Sequence, residues 1–168
     1  ILENLDSELS EDLLIKIHKI VTDKTLDEDE KSEKYRDDHV YVYDPNKTEP
    51  VYIPPKHQDV QPMMNELFLF INNRSESKFI NPIIKAFIIH FYICYVHPFF
   101  DGNGRVARAF SYMYLLKEGY DFFKFFSIST MINKHRNKYY QSFIDSEEND
   151  KDLTYFILAH TVISLDSI

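Results

Sequence analysis

The sequence predicts a mostly helical fold carrying one small β-hairpin, on three observations. Apolar residues recur at helical spacing through most of the chain. Asn81-Pro82, an N-cap followed by proline at the first helical position, opens the most apolar segment. Two short runs rich in β-branched and aromatic residues, Val40-Tyr41-Val42-Tyr43 and Val51-Tyr52-Ile53, flank Asp44-Pro45-Asn46-Lys47-Thr48-Glu49-Pro50, which is a hairpin signature.

In chain order, Ser10 reads as an N-cap, with Leu13, Leu14, Ile17, Ile20 and Val21 at helical spacing behind it. The acidic, weakly apolar stretch from Asp23 to Lys34 reads as a loop. Pro54-Pro55 ends the hairpin, and a helix is expected from about Pro62 to Ile71, with Met63, Met64, Leu67, Phe68 and Ile71 on one side. Ile83, Ile84, Phe87, Ile88, Phe91, Tyr92 and Val96 almost encircle the next helix, so it should be central and buried. It stops at His97-Pro98, because proline disfavours helical geometry for the residue before it. A helix from about Gly104 to Glu118 follows, with Gly119 as its C′ residue. Two more fit Ser129 to Asp145 and Asp152 to Ser164.

Composition bounds what the chain can do. Its 168 residues suit one domain, and 44% apolar content with 15% aromatic argues for a packed core and against disorder. The formal charge of −8 argues against a general nucleic-acid binder, since phosphate backbones select basic faces. No apolar run reaches the roughly 18–20 residues of a membrane span. Cys94 is the single cysteine, so no intramolecular disulfide forms, and its apolar neighbours Ile93 and Tyr95 mark it as a packed side chain. A cytoplasmic setting is expected. Residue 1 is Ile rather than Met, so the chain reads as a piece of a longer protein.

The chemistry concentrates between His97 and Arg108. In a chain with three glycines, Gly102 and Gly104 stand two apart just before a helix, where positive φ and close backbone approach are open to them. Loop N–H groups and a helix start pointing the same way make a phosphate cradle. Arg105 and Arg108, three apart on one helical face, oppose the macrodipole unless an anion lies between them; Arg108 could otherwise pair with a carboxylate. Asp101 beside phosphates calls for a cation, as a Mg²⁺ ligand would; otherwise it is an Asp-Gly turn residue. His97, largely neutral at pH 7, suits taking a proton from a hydroxyl, or else it answers the last carbonyls of its helix. His18, His90 and His160 sit in apolar helical stretches and read as packed or hydrogen-bonded.

The run His97-Pro98-Phe99-Phe100-Asp101-Gly102-Asn103-Gly104-Arg105-Val106-Ala107-Arg108 resembles the Fic-domain motif HxFx(D/E)GNGRxxR with every fixed position filled. Tyr35-Arg36, the hairpin, Ile53-Pro54-Pro55 and the segment 82–96 also fall where that family has them, so the likeness covers about residues 10–165. It implies an all-α Fic-type helical domain with a β-hairpin flap, spanning residues 1–168 as a single domain. It implies transfer of AMP from ATP to a Ser, Thr or Tyr hydroxyl of a target protein. By the same likeness His97 is the general base and Asp101 holds Mg²⁺. Gly102, Asn103 and Gly104 form the anion hole, and Arg105 and Arg108 hold the outer phosphates. Phe99 anchors the loop, Tyr140 stacks on adenine, and Val51, Tyr52 and Ile53 belong to the edge that binds the target. Glu147 stands where an adenine-reading Asn is sometimes found.

No complete match to the family's inhibitory (S/T)xxxE(G/N) helix lies within residues 1–168, and Glu3-Asn4 would need a Ser or Thr before the first residue. Glu118-Gly119 is preceded by Tyr114, and Glu148-Asn149 by Ile144. Such a helix is therefore expected upstream or from a separate antitoxin-like partner. The alternatives are a relative with other chemistry (another nucleotide, phosphotransfer, or removal of AMP) and a non-catalytic peptide-binding adaptor.

Overall fold

The elements run α1 (Glu11–Thr22), β1 (Val42–Tyr43), β2 (Pro50–Tyr52), α2 (His57–Asn72), α3 (Pro82–Val96), α4 (Asn103–Lys117), a 3-10 helix (Asp121–Phe125), α5 (Ile128–Lys134), α6 (Arg136–Glu148) and α7 (Thr154–Leu165). The computed structural model describes residues 7–23, 25, 34–43, 48–72, 79–125, 128–150 and 152–165. Most of the acidic stretch expected as a loop and the hairpin-turn residues 44–47 lie outside the described residues.

Ser10 caps α1, its side chain accepting from the Leu13 N–H at 3.4 Å. Leu13, Leu14 and Ile17 are buried, but Ile20 is half exposed. The buried face turns instead through His18 and Thr22, which a hydropathy pattern scores as polar. The hairpin is antiparallel, Val42 facing Tyr52 and Tyr43 facing Pro50, with Val51 as the extra residue of a bulge. Val40, Tyr41 and Ile53 fall outside the paired strands. The second helix begins at His57 and not at Pro62, which lies inside it. Near a helix start a proline forfeits one backbone bond, and the buried row Val60, Met64, Leu67, Ile71 outweighs that loss.

Both helices around the motif fall within a residue of the expected bounds. The Asn81 carboxamide oxygen accepts from the Ile83 N–H at 2.9 Å to start α3, and Gly119, at φ +86°, ends α4 in the left-handed region. These two helices form the most extensive pairing in the molecule, with α1 against α4 and α2 against α3. Ile89, Ile93, Phe110 and Met113 are fully buried between them. The expected helix 129–145 is instead two, broken at His135 (φ −119°, ψ 33°). Neither glycine nor proline announces the break; α5 leans on α4 and α7 while α6 packs on α7, and the two directions differ. The 3-10 helix after Gly119 was not expected either. Among the described residues no helix is long and apolar enough to cross a membrane.

Behind α3, His90, Tyr139, Phe143, Phe156 and His160 form an aromatic cluster. The His90 Nε2 and the Tyr139 hydroxyl share a hydrogen at 3.0 Å, and His160 Nδ1–H donates to the Phe156 carbonyl at 3.1 Å. Burial holds both imidazoles below the ordinary histidine pKa, His90 far below and His160 down to about 4. Protons therefore bind the unfolded chain first. The stability these neutral rings support is complete above pH 6.5 and is lost as pH falls through the folded values, at about 1.4 kcal/mol per pH unit for each imidazole. The urea midpoint should be level from pH 8 to 7 and then fall steadily toward pH 4. A midpoint that stays level down to pH 4 would contradict neutral buried rings.

Candidate active site

The site begins where α3 ends. His97 adopts a left-handed backbone, φ 53° and ψ 60°, because Pro98 closes the α region to it. For a residue with a Cβ this costs on the order of 1–2 kcal/mol, so neighbours must impose it. They do: the His97 N–H reaches the Ile93 carbonyl at 3.0 Å, and the Arg36 N–H donates to the Pro98 carbonyl at 2.8 Å. The Arg36 Nε donates to the His97 carbonyl at 2.8 Å. On the imidazole, Nδ1 lies 3.1 Å from the Cys94 carbonyl. A carbonyl only accepts, so Nδ1 carries the hydrogen and the neutral ring presents a bare lone pair at Nε2. Burial lowers the pKa further against an opposing pull from the Cys94 carbonyl, which keeps the ring a base at neutral pH.

Next comes the anchor. Phe99 is fully buried, stacked on His18 at 3.9 Å with Tyr35 edge-on at 5.7 Å. The Asn103 side chain clamps the Phe99 backbone from both sides, Oδ1 accepting its N–H at 2.9 Å and Nδ2 donating to its carbonyl at 2.8 Å. The Asn103 carboxamide is thus spent inside the loop and is not free for the anion hole that the resemblance implies. His18 Nε2–H donates to the Asp101 carbonyl at 3.0 Å. Gly102 sits at φ +80°, where a Cβ would stand 2.5 Å from the Thr22 Cγ2. Gly104 is helical, as the expected helix start has it, and takes no positive φ; a Cβ there would meet the Arg108 Nη1 at 3.3 Å. Its use is close approach, letting that guanidinium lie along the first turn.

Gly102 caps α4 without a side-chain bond, so the first N–H groups of α4 lack intrahelical partners and the positive dipole end is uncovered. Arg105 and Arg108 share one side of this turn, yet their guanidiniums diverge. Arg105 reaches the end of α1, bonding the Val21 carbonyl at 3.3 Å and the Thr25 hydroxyl, and lies 3.4 Å from the Asp101 carboxylate. Arg108 turns toward α3 and α6, its field acting on Cys94, His90 and Tyr139. The Arg108 Nε is buried without a hydrogen-bond partner. Asp101 is largely exposed, with Oδ1 accepting the Gly102 N–H at 2.5 Å. Among the described residues no three His, Cys, Asp or Glu side chains gather around a metal position. A Mg²⁺ carried largely by phosphates and water needs only one or two carboxylates from the protein, and the exposed Asp101 carboxylate could supply one.

The hairpin is tied to the same corner. Its Tyr52 hydroxyl donates to the Tyr95 carbonyl at 2.6 Å, Val51 bulges, and Ile53 is exposed. Tyr140, expected near adenine, is half exposed on α6 with Arg136 5.6 Å over its ring. Its neighbour Tyr139 is the buried one, meeting His90 and the field of Arg108. Cys94 packs as expected, burial pushing its thiol up to about 12. Arg36 escaped the sequence reading except as half of Tyr35-Arg36, whereas His18, read as packed or hydrogen-bonded, is both, stacking on Phe99 and fixing the Asp101 carbonyl.

Comparison with known proteins gives a consistent result. Residues 8–115 match the model of the Fic/DOC family. The chain is similar to the protein adenylyltransferase Fic of Aedes aegypti, 31% identical over 117 residues that cover 68% of this chain and 22% of the relative. The Nematostella vectensis protein of the same name is 31% identical over 87 residues, covering 52% and 18%. The chain thus spans about a fifth of the length of these curated relatives. Among solved structures, a Fic family protein from Desulfovibrio desulfuricans superposes with TM-score 0.80 at 22% identity, covering 98% of this chain and 48% of that one. A Fic-domain-containing signaling protein from Bacteroides thetaiotaomicron gives 0.70 at 20%, covering 99% and 63%. At such identities these two show a shared fold.

The corner where α1 meets the loop yields a direct test. Gly102→Ala should cost about 2–4 kcal/mol, from the left-handed backbone and the collision with Thr22. Thr22→Ser removes the methyl in the way but keeps the hydroxyl bond to the His18 carbonyl. In urea unfolding, the double variant should recover about 1–2 kcal/mol of that loss. Strict additivity of the two changes would place the Gly102 requirement elsewhere.

Proposed function

The chain belongs to the Fic/DOC family, and from that premise we propose that it transfers AMP from ATP to a hydroxyl group of a target protein. The observation that carries this is the His97 ring. Its Nδ1–H is committed to the Cys94 carbonyl, leaving Nε2 as a base at the mouth of a loop with uncovered N–H groups and two guanidiniums. In the reaction the target oxygen attacks the α-phosphorus, its proton passes to Nε2, and the bond to the bridging oxygen of the β-phosphate breaks, releasing pyrophosphate. Relatives named protein adenylyltransferase support the same chemistry.

The geometry of the loop supports the following roles. Backbone N–H groups at the start of α4 meet phosphate oxygens, and Arg108, with its unpaired buried Nε, takes an outer phosphate. Arg105 must share itself with the end of α1. Asp101 would hold Mg²⁺ against the phosphates; that ion neutralises charge that would otherwise repel the attacking oxygen. Tyr140 offers an exposed ring for a base, and the hairpin edge offers main-chain bonds to an extended target segment. An inhibitory helix, in cis or from a partner, would act by occupying Arg108.

Labelled ATP separates this reading from its rivals. Label from the α-phosphate should enter protein, and label from the γ-phosphate should not; the reverse pattern means phosphotransfer, and no label from any nucleoside triphosphate leaves AMP removal or a binding module. Repeating the assay with the other nucleoside triphosphates reads the base preference. His97→Ala should cut transfer by about 10²–10⁴-fold while leaving ATP binding, measured by calorimetry, within about twofold. Equal single-turnover rates for parent and variant would remove His97 from the chemistry.

A further inference from the structure

Arg36 is 3% exposed, a buried cation whose side-chain bonds all end on backbone carbonyls. Its Nε donates to His97 at 2.8 Å, Nη2 to Val96 at 3.4 Å and to Pro55 at 2.5 Å, and Nη1 to Asp38 at 2.9 Å. Its own N–H takes the Pro98 carbonyl. Three consecutive carbonyls, those of Val96, His97 and Pro98, are thus held by one residue. The first two lie at the C-terminus of α3, where the helix dipole is negative and a cation is favoured. Pro55 lies between β2 and α2, so the same guanidinium also fixes the path the chain takes out of the hairpin. From the other side, the Tyr52 hydroxyl takes the carbonyl of Tyr95, one residue before Val96.

We propose that Arg36, seconded by Tyr52, is a positioning residue for His97. The pair binds the hairpin and the last turn of α3 into one rigid frame, so that a segment lying along the hairpin meets Nε2 at a set distance. The inference rests on the adenylyl-transfer reading above. It follows from shape as much as from charge: a planar fork reaches four carbonyls in fixed directions, which an ammonium on a flexible stem does not. With the fork gone, the left-handed backbone of His97 loses one of the bonds that offset its strain, the one to its own carbonyl. The phosphate contacts, held by Asn103, Phe99 and His18, are untouched.

The effect must therefore appear in kcat and not in ATP binding. In the full chain, Arg36→Lys should lower kcat by roughly 10- to 100-fold, the scale of a misplaced catalytic group, with the KM for ATP within about twofold. Tyr52→Phe keeps the ring, loses one bond, and should lower kcat by about 3- to 10-fold with the same split; it carries the test if Arg36→Lys does not fold. Hydrogen exchange at the His97 amide should quicken in both variants. Unchanged kcat in a folded Arg36→Lys, or a rise in KM matching the fall in kcat, would overturn the proposal. If the parent chain transfers no AMP, the reaction assignment fails separately. The exchange rate then decides alone, faster exchange supporting the frame and unchanged exchange refuting it.

Discussion

Between α3 and α4 the chain reverses through two left-handed residues, His97 and Gly102, with a fully buried Phe99 between them. Everything chemical in the molecule depends on that reversal holding its shape. The burial of Phe99 against His18 and Tyr35 supplies the apolar anchor, worth about 2–3 kcal/mol for a ring of this size. Asn103 then uses both halves of its carboxamide on the Phe99 backbone, which fixes the loop just ahead of the first turn of α4. The strain at His97 is offset by bonds that also orient its imidazole, so fold stability and base geometry share the same contacts.

Electrostatics work locally against the chain as a whole. A net charge of −8 would repel a polyphosphate at long range, and screening confines that repulsion to about 8–10 Å at ordinary salt. Within the loop the balance inverts, through the helix dipole and two guanidiniums. Burial meanwhile keeps the neighbouring histidines neutral, so the base is not lost to protonation beside the phosphates.

What the residue pattern revealed and what it concealed divide along a physical line. Features fixed within a few residues were readable: the Ser10 and Asn81 caps, the Pro98 stop, the Gly119 terminus and the density of chemistry at 97–108. Features decided by distant partners were not. Arg36 meets the carbonyls of Val96 and His97 from about sixty positions away, and His18 reaches Asp101 across 83. The break at His135 follows from how two helices pack, and the divergence of Arg105 from Arg108 follows from the end of α1, which no helical wheel contains. The two glycines of the motif divide the two properties open to both: Gly102 takes the left-handed backbone and Gly104 the close approach.

The account stands on one lone pair, the His97 Nε2. Its state can be read directly from the ¹⁵N shifts of that imidazole across a pH titration of the parent chain. The geometry predicts a protonated Nδ1 and a bare Nε2 at pH 7, with a midpoint below the ordinary 6.5 because the ring is buried. A hydrogen on Nε2 at pH 7, or a midpoint above 6.5, would contradict it.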